Sequence, residues 1–265
     1  MGVTFGKKGG GRNFNNNKYE RIWILSKTDF KLRYADTLLG FFWTVVTPLV
    51  RLLIYYFVFS TIFTKKLPNY GLHIFSGLIV WMFFMEATKK GITVLKTKRY
   101  LIENVKLNSL DLYTSSILTS LLIFGINILV YLIVSLFFST AVNWTIIFVP
   151  IQVLIVCILV FGLILILSTI NIFFRDIGKL WEMFLLGLFW INPIFYAKTI
   201  IFEQFPALMY LNPLAGIIIN TRNGLLMGEM PDWNIAAYDL AYALVVLGIG
   251  LIVYNKYFYK AAEKL

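Results

Sequence analysis

Two charged residues inside long apolar runs are the first candidates for function. Arg51 lies near the middle of the run 37–63, and Glu86 lies within the next apolar run. A charge in the centre of a bilayer costs about 2.5–3.5 kcal/mol on insertion scales, so such residues face a wet interior or a partner of opposite sign. We therefore expect Arg51 and Glu86 to be functional, either as an ion pair or as separate groups beside a water-filled vestibule.

Aromatic residues follow Arg51 along the same run. With 3.6 residues per helical turn, Tyr55 and Phe59 share the helix face of Arg51, whereas Ile54 and Val58 lie off that face. We interpret this face as the wall of a transport path and expect a wall to carry little core packing. The chain has 24 Phe and 15 Tyr, so packing against lipid or other helices is the alternative for any one ring. The residues predicted to line the path are Arg51, Tyr55, Tyr56, Phe59, Trp81, Phe84 and Glu86.

Groups for catalysis or metal binding are missing from the sequence. No phosphate-binding loop of the form G-x-x-x-x-G-K-[ST] is present. Paired carboxylates with a histidine at catalytic spacing are absent too, and Cys157 and His73 are single residues far apart. We predict no catalytic residue, no metal site, no cofactor and no ATP hydrolysis by this chain itself.

Composition indicates a membrane protein. The 265 residues are 59% apolar and 14% charged, whereas soluble domains carry about 25% charged residues. A polar tail, 1–17, is predicted to be disordered, and 18–265 to form a single all-α transmembrane domain. Spans of about 20 residues cross a bilayer, and six are predicted at 38–63, 72–95, 112–138, 145–174, 179–197 and 236–257.

The basic residues fall mainly in alternate segments between these spans. By the positive-inside rule, both termini lie in the cytoplasm. The net charge of +11 is thereby explained as a basic lining of one membrane face, which argues against nucleic acid binding. Residues 18–34 are predicted to form an amphipathic helix in the membrane surface, with packing against a partner as the alternative.

Two segments between spans are predicted to be helical. Residues 198–235 contain Asn212 and Pro213, a typical helix start, and Gly228, a typical helix end. We expect short helices that dip into the outer leaflet, with a folded external hairpin as the alternative. Residues 96–110 are expected to form a short cytoplasmic helix that inserts into a partner, or else a solvated linker.

Three stretches together resemble one family. RYADTLLGFFWTVVTPL (33–49), NIFFRDIGKLWEMFLLGLFWINPIFY (171–196) and LNPLAGIIINTRNGLL (211–226) resemble the permease subunits of polysaccharide and polyol-phosphate ABC exporters of the type-2 exporter fold. The three stretches resemble those of O-antigen exporters most, and those of teichoic acid permeases are similar. The residues that carry the motifs are Arg175, Asp176, Asn192, Pro193, Asn212 and Pro213.

The resemblance implies a partner set and a location. It implies a homodimer in the cytoplasmic membrane with two separate ATPase subunits that bind the ATP. The segment 96–110 would then be the coupling helix, with Tyr100, Leu101, Ile102, Glu103, Asn104 and Val105 as contacts. The cargo would be a polymer on an undecaprenyl-pyrophosphate lipid, passing between the two subunits along the first and fifth spans.

Sugar chemistry agrees with this implication. A sugar ring stacks its apolar face on an aromatic ring, and a tyrosine adds a polar partner for its hydroxyl groups. Basic residues near the inner surface could attract the pyrophosphate, although anchoring to lipid headgroups is the commoner role. These candidates are Lys27, Lys31, Arg33, Lys89 and Lys90.

Other functions stay open at this point. A teichoic acid or capsule permease keeps the same architecture with another polymer, and an efflux permease for small molecules keeps it with another cargo. A membrane transferase acting on polyprenyl-phosphate lipids needs acid and base residues converging on one membrane face, and the sequence offers none.

Overall fold

Helices make up the fold of the computed structural model, which describes residues 17–33, 37–63, 69–105, 107–138, 143–197 and 210–262. The all-α prediction is confirmed, since these ranges contain helices and no strand. The α-helices are α1 (Lys18–Leu32), α2 (Trp43–Phe63), α3 (Tyr70–Thr97), α4 (Arg99–Val105), α5 (Ser109–Phe137), α6 (Val149–Phe173), α7 (Ile177–Ile191), α8 (Pro213–Arg222) and α9 (Trp233–Ala262). Short 3-10 helices, Gly40–Phe42 and Trp144–Phe148, precede α2 and α6, and a π-helical segment, Asn223–Met227, follows α8.

Five helices of the described ranges are long and apolar enough to cross a membrane: α2, α3, α5, α6 and α9. The fifth predicted span, 179–197, overlaps α7, which has 15 residues and is therefore only about 22 Å long. The helix ends at Ile191 because Pro193 has no N–H for the next helical bond. That this segment also crosses the bilayer stays a prediction.

Helix α3 lies at the centre of the fold. It contacts α2, α5, α6, α7 and α8, and 89% of its most apolar 18-residue stretch is buried. The predicted span 72–95 lies within this helix, which continues to Thr97 with Lys89 and Lys90 half-buried.

Helices α6 and α9 run side by side in close contact. A Cβ atom added at Gly162 would lie 2.6 Å from the backbone nitrogen of Leu247, and one at Gly250 would lie 2.6 Å from the carbonyl oxygen of Gly162. Small residues allow two helix backbones to approach this closely, which is how helices associate in membranes. These glycines therefore fix the spacing of the two helices.

Helix α1 packs on α5 of the same chain, and that it lies in the membrane surface stays a prediction. Its buried residues are Ile22 and Ser26. The Ser26 hydroxyl donates to the carbonyl oxygen of Ser115 at 3.0 Å, and Arg21 pairs with Asp111. Tyr19 and Trp23 on the same helix are exposed.

The carboxylate of Glu86 binds the end of the α1 segment. Both guanidinium nitrogens of Arg33 donate to it, at 2.8 and 2.9 Å. The hypothesis of an Arg51–Glu86 pair is therefore wrong. Together with the pair between Lys98 and Asp29, this contact clamps the α1 segment to α3 and the residue before α4.

Helix α8 begins, and the π-helical segment after it ends, where the sequence predicts. Helix α8 has Asn212 at its N-cap and Pro213 in its first turn, and Gly228 closes the π-helical segment with a φ of 68°. The side chain of Asn212 does not cap the helix; it donates to the Oδ1 of Asn192 at 3.1 Å. Residues 198–209 lie outside the described ranges.

Candidate functional site

A cleft of about 410 Å³ lies between α2, α3 and α7, and we name it the aromatic groove. It brings together Arg51, Tyr55 and Trp81, predicted for the transport path, with Lys89, predicted for phosphate binding. The full lining is Arg51, Tyr55, Leu78, Trp81, Met85, Lys89, Glu182, Leu185, Leu186, Phe189 and Trp190.

Helix α2 presents one face to the groove, as its periodicity indicates. Arg51 and Tyr55 both line the cleft, whereas Ile54 and Val58 are more than half exposed on another side. Phe59 continues the line outward and stacks on Phe195 with 4.6 Å between ring centroids. The structure thus places these side chains on one side of the helix, while their role in a path stays a prediction.

Helix α7 supplies aromatic residues that the sequence analysis missed. Phe189 lies 5.5 Å from Tyr55 and 5.4 Å from Trp81, measured between ring centroids. Trp190 lies 6.2 Å from Phe59. The expectation that this face of α2 carries little core packing was wrong, because Tyr55 and Phe59 pack against the rings of α7. The missed signal was the spacing of Glu182, Leu185, Leu186, Phe189 and Trp190 along one helix face.

Four residues predicted for the path are not part of the groove's lining: Phe59, described above, and Tyr56, Phe84 and Glu86. Tyr56 packs beside Tyr70 at 6.3 Å. Phe84 is buried near Trp181 at 6.3 Å. Glu86 is bound to Arg33, as described above. Each is held by contacts within the fold and is a weaker candidate for touching a cargo.

The helix break at Asn192 and Pro193 is closed by a buried arginine. Arg222 at the end of α8 is 4% exposed, and it donates to the carbonyl oxygens of Pro193 at 2.7 Å and Ile194 at 3.4 Å. A broken helix in a membrane leaves carbonyls that protein groups must satisfy. Arg222 does so here, and Tyr70 donates to the next carbonyl, of Phe195, at 2.9 Å. Hydrogen bonds from α8 and α3 thus hold the chain after the break.

A second cleft of about 270 Å³ adjoins the groove at the opposite end of α7, and we name it the basic pocket. Its charged lining consists of four cations, Lys89, Lys96, Arg175 and Lys179, and one carboxylate, Glu182. Lys96 donates to the carbonyl oxygen of Asn171 at 2.7 Å, and Lys89 pairs with Glu182 at 2.8 Å. The remaining lining is Ile92, Thr93, Asn171, Gly178 and Trp181.

Comparison with known proteins assigns the chain to a family. The ABC-2 type transporter family matches residues 20–226. The chain belongs to this family. The family predicted from the three sequence stretches is therefore confirmed, and the chain is a multi-pass membrane protein.

Several relatives of this ABC-2 type chain carry names from polysaccharide export. The O-antigen export system permease protein RfbA of Klebsiella pneumoniae is 27% identical over 257 residues, which cover 93% of this chain and 95% of the relative. The protein of that name from Myxococcus xanthus is 28% identical, over 78% of this chain and 81% of its own length. The polysialic acid transport protein KpsM of Escherichia coli is 22% identical, over 86% and 89%.

Helix α4 of this ABC-2 type chain forms the predicted short helix between two spans. Tyr100 is 69% exposed, while Leu101 and Ile102 pack against the core. Glu103 pairs with Arg99, and the side-chain amide of Asn104 donates to the carbonyl oxygen of Tyr100. The side chain of Val105 lies outside the described part of the structure. A contact of α4 with a partner stays a prediction.

The remaining phosphate candidates are scattered. Lys27 and Lys31 are exposed on α1, and Lys90 is half-buried on α3. Arg33 is occupied by Glu86. Only Lys89 of the five lines a cleft of those described here. Of the motif residues, Arg175 lines the basic pocket, while Asp176 is exposed and lies outside its lining.

Proposed function

We propose that this chain is the transmembrane subunit of an ABC exporter that moves an O-antigen-like polysaccharide out of the cytoplasm. Two copies form the channel, and two separate ATPase subunits bind and hydrolyse ATP on the cytoplasmic side. The polymer travels on an undecaprenyl-diphosphate lipid. Both termini lie in the cytoplasm, and the complex sits in the cytoplasmic membrane. Membership of the ABC-2 type family and the names of relatives that align over most of the chain support this proposal.

The aromatic groove is the observation that carries the proposal. Its rings offer flat apolar faces, and the Tyr55 hydroxyl and the Arg51 guanidinium offer polar contacts beside them. Sugar rings need this combination of stacking surface and hydrogen-bonding groups. Each contact is weak and repeated along the groove, so a polymer can slide from one set of contacts to the next.

Export of the polymer tests the proposal. In a strain that lacks the chromosomal copy, the chain is supplied on a plasmid and surface polysaccharide is measured by antibody binding to intact cells. We expect surface polymer to disappear without the chain while polymer accumulates inside. Tyr55→Ala and Arg51→Gln should each lower the export rate at least fivefold to tenfold, about 1–1.4 kcal/mol in a rate barrier.

Ile54→Ala is the matched control, because it removes a side chain from the same helix outside the groove. Since Tyr55 packs against Phe189 and Phe195, the amount of folded protein in the membrane is measured for each variant. Arg51 is half-exposed and its replacement leaves that packing in place. If Ile54→Ala stops export while Arg51→Gln and Tyr55→Ala do not, the groove is not the path.

A capsular polymer is the second candidate cargo. The relationship to KpsM, named for polysialic acid transport, is the observation that favours it. The sugar composition of the polymer that accumulates inside cells lacking the chain separates the two. An O-antigen repeat supports the first cargo, and a capsular repeat supports the second.

A further inference from the structure

The aromatic groove and the basic pocket form one continuous surface. On α3, Trp81, Met85, Lys89 and Lys96 follow one another at helical spacing and line one or both clefts. On α7, Lys179, Glu182, Leu186 and Trp190 do the same. Lys89 and Glu182 belong to both clefts. Two facing helix stripes therefore change from basic to aromatic along one direction.

The basic pocket carries more positive charge than the chain neutralises. Glu182 is the one carboxylate in its lining, and it pairs with Lys89. Lys96 is bonded to a main-chain oxygen. Within the described ranges, no carboxylate lies at ion-pair distance from Arg175 or Lys179, and both side chains are exposed to the cleft. These cations are available to a ligand with several negative oxygens.

We propose that the basic pocket binds the diphosphate that joins the glycan to its lipid carrier, and that Glu182 holds Lys89 until this diphosphate replaces it. The inference rests on the proposed function, since it names how that cargo is recognised. A diphosphate has enough anionic oxygens for several cations at once, and an arginine can bind two of them in parallel. A neutral sugar would gain little from such a site.

The order of residues sets the position of the cargo. Lys96 lies seven residues after Lys89 on α3, about 10 Å along the helix, so the pocket extends from the end of the helix inward. The diphosphate lies among Lys96, Arg175 and Lys179, and the first sugar reaches the groove beside Trp81. The Lys89–Glu182 pair lies between them and opens when phosphate oxygens compete for Lys89.

Binding of farnesyl diphosphate to the full-length chain in phosphatidylcholine nanodiscs tests the site. Arg175→Gln and Lys179→Gln should each weaken binding about tenfold, which is about 1.4 kcal/mol. Glu182→Gln should tighten binding at least threefold, because it removes the competing anion. Inorganic pyrophosphate should displace the bound lipid. Lys18→Gln removes the same charge from an exposed position on α1 that was not a phosphate candidate, and it should leave binding unchanged.

Several results would overturn the assignment. Equal losses for Lys18→Gln and Arg175→Gln would mean that the general surface charge attracts the probe. Failure of pyrophosphate to compete would mean that the prenyl tail carries the binding. If the chain in phosphatidylglycerol nanodiscs no longer bound farnesyl diphosphate, the pocket would be a site for ordinary anionic lipid headgroups. Loss of affinity in Glu182→Gln would contradict the displacement of this carboxylate.

The binding assay is independent of export. If surface polysaccharide does not depend on the chain but farnesyl diphosphate binds as described, the proposed function fails and the diphosphate site stands. If export depends on the chain but Arg175→Gln and Lys179→Gln bind the probe normally, the site fails and the proposed function stands.

Discussion

Removal of Arg21 should detach helix α1 from the membrane domain. Asp111, its partner on α5, is completely buried, and Arg21 keeps 16% of its side chain exposed. Loss of one partner from a buried ion pair costs about 3–5 kcal/mol, because the other charge stays buried alone. Since Arg21 is partly exposed, the lower end of this range applies, about 3 kcal/mol. The Ile22 contact, the Ser26–Ser115 hydrogen bond and the ion pairs of Arg33 with Glu86 and of Lys98 with Asp29 remain, so the detachment of α1 is transient.

Hydrogen exchange of the amides in Lys18–Leu32 measures this detachment. A loss of about 3 kcal/mol corresponds to local opening about a hundredfold more often, at tenfold for each 1.4 kcal/mol. Arg21→Met should therefore raise exchange in α1 by about that factor, with the amides of α3 unchanged. Lys27→Gln, which removes a charge from an exposed position of the same helix, should leave exchange as it is.

A double variant separates charge from packing. Arg21→Met together with Asp111→Leu removes both charges, and apolar replacement of a whole buried pair is often neutral or stabilising. Most of the protection of α1 should therefore return. Unchanged exchange in Arg21→Met alone would show that the pair does not hold α1. A rise across the whole chain would show that the damage is global and the local reasoning wrong.

The remaining predictions concern packing, coupling and topology. Gly162→Ala should destabilise the chain by about 1–3 kcal/mol through overpacking against the backbone of α9, whereas Gly248→Ala, whose Cβ meets open space, should not; thermal unfolding in detergent compares them. Tyr100→Ala should lower export while ATP hydrolysis by the assembled complex continues, and equal loss of both activities would argue against a coupling role. In a Cys157→Ser background, a cysteine at Glu229 should react with an impermeant reagent on intact cells and one at Tyr100 only after lysis; labelling of Tyr100→Cys from outside would reverse the proposed topology.

Local geometry explains what the sequence predicted well. The spans follow from apolar runs, because a membrane leaves the backbone no alternative to a helix. The shared face of Arg51 and Tyr55 follows from helical spacing over four residues, which needs no tertiary information. The start of α8 at Pro213 and the closing turn at Gly228 follow from the φ angles that these two residues favour.

Contacts between distant segments explain what the sequence did not predict. Glu86 binds Arg33, 53 residues earlier, and a count of charges gave no reason to prefer it over Arg51. The carbonyl oxygen of Pro193 accepts a hydrogen bond from Arg222, 29 residues later. The basic pocket joins the end of α3 to the start of α7, so Arg175 meets Lys96 only in the folded chain.

The central position of α3 has a consequence for biosynthesis. This helix is the least apolar of the five candidate spans and the most completely enclosed, and four of the helices that cover it, α5, α6, α7 and α8, come later in the chain. When it leaves the ribosome, its polar residues, such as His73, Ser76 and Glu86, have only the preceding helices and lipid around them. Its insertion therefore becomes permanent only when the later helices have been made, and a chain truncated before α5 should be a substrate for membrane quality control.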